Sequence, residues 1–427
     1  MDATNHWLIP DDQRIDWRSK AFGPGQLGRT IGDLVADQTV VSDLPTPLVT
    51  LDAAALEYNI EVMAEFLNAG DLLLAPHGKT TMAPQLWHRQ LRAGAWGITV
   101  ATPWQMRVAV QHAVPTIMHA GAMLAPGDLA FVARHLDADP RARVLVWADS
   151  PAVVAVIAHG FPTSGRKLEV LVERGGPGAR TGARTLEESL HTAEAVAAAP
   201  NLTLAGVSAW EGSLVGTSGP NGRDVVARFC DGVADTLESA VQNGLLSPDD
   251  RPVLTGGGSA YFDIVAERWG RLRGLGAQIV LRSGCYLTHD DGGYAKSSPF
   301  GRTVGRPLRA ALHAWGQVVS RPESGLALLN FGKRDVTFDS AFPVPQAIRG
   351  RDETGIDAAL AGAHISEAND QHSYLRLDPD SDLKVGEVVR CGIAHPCLTF
   401  DKWTVIPVLD RTDVAEPRMI GAVRTIF

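Results

Sequence analysis

The chain predicts an α/β fold, an N-terminal (β/α)8 barrel followed by a C-terminal all-β domain. Three observations carry that expectation. Over residues 44–300, eight short apolar runs alternate with stretches of helical periodicity, the pattern of parallel βα units. Eight such units over roughly 240 residues match a closed barrel in size. After about Pro307 the helical stretches stop, and β-rich runs follow one another between Gly, Pro and Asp turns. An open doubly wound sheet is the alternative. The barrel is preferred because the polar signals gather just after each strand.

Residues 1–43, with Pro10, Pro24 and several glycines, read as an irregular extension packed with the β-domain. PLVTLD (47–52) is a short strand. Ala53 to Asn68 is helical, with Leu56, Ile60, Met63, Ala64 and Leu67 at helical spacing. The barrel strands are LLLA (72–75), GITVA (97–101), TIMHA (116–120), RVLVWA (143–148), KLEVLVE (167–173), LTLAGVSAW (202–210), PVLT (252–255) and QIVLRS (278–283). Helices are expected between them at Pro84–Gly94, Pro103–His112, Pro126–His135, Pro151–His159, Thr185–Ala199, Arg223–Asn243 and Ala260–Arg271. The β-domain, 301–427, offers strands at 311–322, 325–333, 336–342, 372–378, 385–393 and 402–410, and a single helical stretch at 355–362.

At 427 residues the chain is too long for one ordinary domain. Hydrophobic residues at 45% and charged residues at 20% are a globular composition with a sizeable core. A net charge of −9 argues against a nucleic-acid surface. No apolar run reaches membrane-spanning length. The N-terminus lacks a basic region leading into an apolar core, so a cytoplasmic location is expected. Cys230, Cys285, Cys391 and Cys397 form no CxxC pair and read as reduced thiols. GPGQLG at 23–28 has the GxGxxG spacing, but no strand precedes it. GKT at 78–80 lacks a phosphate-loop glycine, because Leu73 stands at that place.

The stretch LLLAPHGKT (72–80) is a buried strand that stops at Pro76 and presents Lys79. A lysine so placed can have its pKa lowered by burial and become a carbonyl-reactive nucleophile. Active sites of such barrels lie at the C-terminal ends of the strands. Those ends carry His77 and Lys79, His119, Asp149, Glu173 with Arg180, Trp210 with Glu211, Gly256–Gly257–Gly258–Ser259, and Ser283–Gly284–Cys285–Tyr286. A glycine-serine loop after the seventh strand can bring bare N–H groups to a phosphate; the other reading is a tight turn without a ligand. A lysine, a phosphate cradle and an arginine on one rim suggest pyridoxal phosphate. The lysine would hold its aldehyde as a Schiff base, with the ring as electron sink.

With those residues in place, the chain resembles the alanine-racemase-like (fold type III) pyridoxal-phosphate enzymes, and within them the D-serine dehydratase and D-threonine aldolase family. The matching pieces are TPLVTLDAAALEYNI, PHGKT, RTG within GPGARTG, AWEGS, TGGGS, RSGCY followed by Asp290, and HPC at 395–397. The resemblance implies that Lys79 carries the cofactor and takes the Cα proton, with His77 beside it. It places Arg180 near the ring's phenolic oxygen, with Trp210 in the same site. Thr255, Gly256, Gly257, Gly258 and Ser259 would bind phosphate, completed by Ser283, Gly284 and Tyr286.

His395 and Cys397 stand two apart across Pro396. On an extended segment such residues point to one side, and imidazole with thiolate suits zinc. In the family this pair holds a divalent metal, here zinc first, with manganese or magnesium as alternatives. Family aldolases usually carry Asp at the position of Cys397 and dehydratases Cys, which favours β-elimination of water from a D-3-hydroxy amino acid. The alternatives are D-threonine aldolase, a racemase drawing on Tyr374, and a non-catalytic pyridoxal-phosphate carrier. A homodimer is the family expectation. Departures from the family are Trp210 in place of Tyr, Ser213 in place of His, Glu173 in place of Asp, and the longer N-terminal segment. His372 is a further candidate in the β-domain.

Overall fold

The computed structural model describes residues 8–214, 220–302, 305–351 and 356–427. The chain begins with α1 (Ile31–Ala36), β1 (Leu48–Asp52) and α2 (Ala53–Gly70). The barrel strands are β2 (Leu73–Leu74), β3 (Ile98–Val100), β4 (Thr116–His119), β5 (Arg143–Ala148), β6 (Leu168–Arg174), β7 (Leu202–Ala209), β8 (Val253–Gly256) and β9 (Gln278–Leu281). They alternate with α3 (Pro84–Arg92), α4 (Pro103–Gln111), α5 (Pro126–Ala138), α6 (Pro151–Gly160), α7 (Leu186–Ala198), α8 (Pro220–Gln242) and α9 (Phe262–Trp269). Each falls on a stretch expected from the sequence.

These eight strands form one parallel sheet in the order β2-β9-β8-β7-β6-β5-β4-β3. Hydrogen bonds from Trp96 N to Leu74 O (2.7 Å) and from Thr99 N to Pro76 O (2.9 Å) join the two ends and close it. Local signals set the helix starts. Proline opens α3, α4, α5 and α6, where its missing N–H costs nothing and its fixed φ suits a first turn. Thr102, Ser150 and Thr185 cap α4, α6 and α7 through their hydroxyls. Inside the barrel, Ala75, Met118, Leu145, Trp147, Leu171, Val253 and Val280 pack as a separate cluster. Truncating Leu145 or Leu171 to Ala there would cost about 2–5 kcal/mol. Trp147 of this cluster also lines the cavity at the strand ends, so the plug lies beneath that cavity.

After α10 (Gly293–Ser297) comes the second sheet: β10 (Leu312–Glu323), β11 (Leu326–Leu329), β12 (Val344–Ile348), β13 (His364–Ala368), β14 (Ser373–Arg376), β15 (Val388–Gly392), β16 (Val405–Leu409) and β17 (Met419–Arg424), with α11 (Cys397–Phe400) between β15 and β16. Its main path runs β13-β14-β11-β10-β1-β16-β17, and β15 bridges β10 and β12. Thus β1 lies in this sheet, antiparallel to β10 and parallel to β16. Trp315 Nε1 donates to Thr50 Oγ1 (2.9 Å) across that pairing. Residues 8–43 hydrogen-bond to the same sheet, through Ile9 N to Ala422 O (3.0 Å) and Val41 N to Pro417 O (2.9 Å).

Two β-domain expectations are corrected. Residues 336–342 are a loop, not a strand. Thr337 N is taken by Thr399 Oγ1 (3.1 Å) and the Asp335 carbonyl by Trp403 Nε1 (2.7 Å), so this backbone is spent on loop anchoring. The helical stretch at 355–362 is a short 3-10 turn, Ala358–Leu360, and its first residue lies outside the described residues. Strands 344–348, 364–368 and 419–424 are additional to the sequence expectation, and the first holds Pro345, a residue that strands disfavour.

Candidate active site

A cavity of about 610 Å³ opens at the barrel mouth, where the β-domain leans over the strand ends. His77, Lys79, Arg180, Trp210, Gly258, Ser259, Gly284, His395 and Cys397 all line it, so the fold brings these expected site residues to one place. Thr255, Gly256, Gly257, Ser283 and Tyr286 stand behind the lining. Thr255 Oγ1 accepts from Arg282 Nη1 (2.8 Å). Gly256 packs against Trp269, whose ring a Cβ there would meet. Ser283 Oγ donates to Gly257 O (3.0 Å). The Tyr286 hydroxyl accepts from Gln90 Nε2 (3.0 Å) and is buried. Their contacts are those of supports for the lining.

Lys79 is exposed within the cavity. Burial, anticipated as the means of activating it, is absent; what distinguishes it is its place beside His77. His77 Nδ1 is buried without a hydrogen-bond partner. Its pKa is held well below the usual imidazole range by burial, then by the charges of Lys79, Arg282 and Arg180. His77 is therefore a neutral neighbour of the lysine. Gly284 fits close against it: a Cβ there would come within 2.6 Å of the His77 carbonyl oxygen.

Arg180 lies over the face of Trp210, its guanidinium carbon 4.5 Å from the ring centroid. The loop that presents it is firmly tied. Arg184 donates to the carbonyls of Ala179, Arg180, Thr181 and Gly182. Thr181 Oγ1 donates to Glu173 (2.8 Å) and Gly182 N to Asp149 (3.3 Å). Glu173 is pushed up by burial, with the Thr181 hydrogen bond opposing. Asp149 and Glu173 thus position the arginine loop. His119 turns Nδ1 to the carbonyl of Gly121 (2.9 Å), stays buried and does not line the cavity.

The glycine loop differs from expectation in one respect. Its amides at Gly257 and Gly258 donate to the Glu211 carboxylate, at 3.1 and 2.6 Å. The stretch that reaches the cavity is Gly258 to Tyr261, with Gly284 and Cys285 opposite. Gly257 has φ +77°, which favours glycine, and a Cβ at Gly258 would meet Trp210 Nε1 at 2.8 Å. Glu211 is buried, which raises its pKa, while its own backbone N–H, Arg282 and the glycine amides pull it down. Arg282 was missed, although a charge ending the apolar run QIVLRS was a visible signal. It donates to Ala209 O (2.6 Å), lies over Trp147 at 4.7 Å and lines the cavity. Burial lowers its pKa to about 10, against the raising effect of Glu211 and Glu173, so it stays charged at neutrality.

From the β-domain side come His395 and Cys397. The extended-segment argument for them fails: Pro396 has φ −67° and ψ −33° and starts α11. A tight turn brings the two side chains to the cavity instead. His395 Nδ1 donates to Asp339 Oδ2 (2.8 Å), which leaves Nε2 for another partner. Asp339 is the second missed residue, hidden in a segment read as strand. Partial burial raises its carboxyl, but hydrogen bonds from Thr337 and His395 hold it below the usual range. A carboxylate that orients a histidine in this way is a common second partner at metal sites. Cys397 Sγ lies 3.2 Å and Cys285 Sγ 3.9 Å from Thr80 Oγ1. The influence of each thiol on the other draws Cys285 down and pushes Cys397 up. His372 is exposed, and the Tyr374 hydroxyl accepts from Asn369 Nδ2 (3.2 Å) at the surface; neither lines the cavity.

The residues fit both groups the sequence implies. An amine, two guanidiniums and an indole face one cavity of cofactor size, and Arg282 Nε is buried without a partner. An imidazole nitrogen and a thiol sulfur stand at its other wall.

Residues 311–409 match the family model of the putative serine dehydratase domain. A D-threonine aldolase from Arthrobacter sp is 24% identical over 359 residues, 83% of this chain and 86% of that protein. Among solved structures, D-threonine aldolase from Filomicrobium marinum superposes with a TM-score of 0.76 at 23% identity, covering 90% of this chain and 96% of that one. D-threo-3-hydroxyaspartate dehydratase from Delftia sp. HT23 gives 0.67 at 21%, covering 90% and 100%. Solved variants of a dehydratase of that name replace a histidine and a cysteine two positions apart, the latter in a metal-free form. Among the described residues no helix is long and apolar enough to cross a membrane. In sequence the chain is thus similar to D-threonine aldolase, over residues 311–409 to the putative serine dehydratase domain, and in fold to the D-threonine aldolase and D-threo-3-hydroxyaspartate dehydratase structures.

Proposed function

We propose that this chain is a pyridoxal-phosphate- and divalent-metal-dependent dehydratase of D-3-hydroxy amino acids, D-serine and D-threonine among them, yielding a 2-oxo acid and ammonia. The observation that carries it is the placement of Cys397 and of His395, steadied by Asp339, across one cavity from Lys79. The substituted histidine and cysteine of the dehydratase have the same two-residue spacing as His395 and Cys397.

Bound pyridoxal phosphate supplies an electron sink for the charge left at the substrate Cα. Lys79 would hold it, with Arg180, Arg282 and Trp210 around it and Gly258–Ser259 and Gly284 at its phosphate. His395 Nε2 and Cys397 Sγ would hold a metal, zinc first by ligand type, and leave positions open for substrate and water. Lys79 Nζ takes the proton from the substrate Cα; it is the cavity's one lysine among the lining residues. His77, kept neutral, adds no second charge beside that amine. Arg282 stays cationic and lines the same cavity.

The reading is tested by incubating the protein with D-serine and D-threonine, plus pyridoxal phosphate and zinc or manganese, and assaying 2-oxo acid. Pyruvate and 2-oxobutanoate are expected, and chelator should abolish them. Glycine and acetaldehyde from D-threonine would instead select the aldolase reading, which the similarity to D-threonine aldolases favours. A small-molecule D-amino acid is the partner this site is built for. We place the protein in the cytoplasm as a homodimer, to be checked by fractionation and light scattering.

A further inference from the structure

Cys285 follows the eighth barrel strand, and Cys397 opens α11 in the β-domain. They are 112 positions apart in sequence, yet both line the cavity. Thr80 Oγ1 sits against both sulfurs. Both cysteines are partly exposed, so a small solute in the cavity can reach them, whereas Cys230 and Cys391 are buried elsewhere. Holding Cys397 on a metal does not require a second thiol beside it. Two free thiols that flank one hydroxyl at 3.9 and 3.2 Å are placed to close a disulfide across a domain seam.

We propose that Cys285 and Cys397 are a redox-modification site, at which peroxide joins them in a disulfide that ties barrel to β-domain and takes the Cys397 sulfur from the metal. The thiolate sulfur of one cysteine attacks a peroxide oxygen. The O–O bond breaks, and water and a sulfenic acid result. The sulfur of the other cysteine then displaces the hydroxyl as a second water, closing the S–S bond. Two thiols and one hydrogen peroxide give one disulfide and two waters; the sulfurs lose two electrons and the peroxide gains them. The adjacent second thiol traps the sulfenic acid before it climbs to the irreversible sulfinic state. A small dithiol reverses the bond by exchange.

The cross-link itself is independent of the proposed activity; only its effect on the metal rests on Cys397 as ligand. The full-length protein, metal-stripped by chelator or loaded with zinc, is treated with hydrogen peroxide, alkylated and digested without reductant. The expected result for stripped protein is a peptide pair joined through Cys285 and Cys397. Alkylatable thiols in denaturant fall from four to two and dithiothreitol restores them. C285S should yield no such pair. Zinc should slow the cross-link at least several-fold. Sulfinic acid at Cys285 or Cys397 without the joined peptide, or thiols that survive peroxide, overturns the modification site. A cross-link that forms equally fast with zinc bound overturns the metal half alone and, with it, the ligand role of Cys397.

Discussion

The two walls of the cavity are built differently. On the barrel side, charged groups are fixed to backbone that the parallel sheet already locks: Arg282 on Ala209, Glu211 on Gly257 and Gly258, Arg184 around the loop that carries Arg180. On the β-domain side, His395 just precedes and Cys397 opens a four-residue helix, and the two lean on one carboxylate and one hydroxyl. One wall is rigid through repetition of a fold unit, the other through a few long-range contacts. The barrel wall should therefore govern whether the cofactor stays, and the β-domain wall which reaction follows.

The largest effect is expected at the barrel wall. Lys79→Ala removes the amine proposed to hold the cofactor and to move the proton. Turnover should drop by about 10³-fold or more, and the visible absorbance of the bound cofactor should disappear. Wild-type absorbance in this variant would break the division between the walls at its base.

Cys397→Ala should reduce dehydration by about 10²-fold, the scale of losing a Lewis acid's ligand, while the visible band survives. Cys397→Asp sharpens the comparison. It keeps a metal ligand of the type the family's aldolases carry, and glycine should appear from D-threonine at the expense of 2-oxobutanoate. An unchanged product ratio would show that the β-domain wall does not choose the reaction. Asp339→Asn comes next: metal affinity, read by competition with a chromogenic chelator, should weaken by about 10–100-fold, with cofactor absorbance untouched.

How legible each wall is in the sequence follows the same division. The barrel repeats one rule eight times, and runs such as RVLVWA and caps such as Thr102 and Ser150 restate it locally, so strands and rim residues could be located together. Lys79 and Arg180 were findable because they follow strands. Asp339 was not, since its role depends on Thr337 and Thr399 meeting across the β-domain, 62 positions apart. Nor was the turn at Pro396, whose α conformation makes the extended-segment reasoning for His395 and Cys397 wrong although both reach the cavity. Glu211 was visible at a strand end, but its grip on the glycine amides is a tertiary fact. Glu211→Gln leaves one glycine amide without its charged acceptor, worth about 1–3 kcal/mol if it stays unpaired. Pyridoxal phosphate should then bind about 10-fold more weakly in an absorbance titration, with the metal affinity unchanged; equal affinity would mean that the loop holds its shape without this clamp.

The smallest effect lies at the seam between the walls. Asp291 N donates to Ile393 O (2.8 Å), and its carboxylate lies against Gly392, where a Cβ would collide with Oδ2. Burial raises its pKa to about 6, opposed by the Gln346 hydrogen bond and the Arg390 charge. The sign follows from linkage. With a folded pKa above the unfolded one, near 4, the native state binds the proton more tightly. Its contribution to stability is full below about pH 4, falls as pH rises through about 6, and is gone above. The whole step is on the order of 2 kcal/mol after allowing for the group's partial contact with solvent. Asp291→Asn cannot ionise, so its unfolding free energy should lose this decline between about pH 4.5 and 8, and the variant should match or exceed wild type at the upper end. Denaturant titrations at both pH values check it. A variant weakened equally at the two would mean that Asp291 holds the seam as a hydrogen-bonding anion, and that the two walls are joined by charge there and not by its absence.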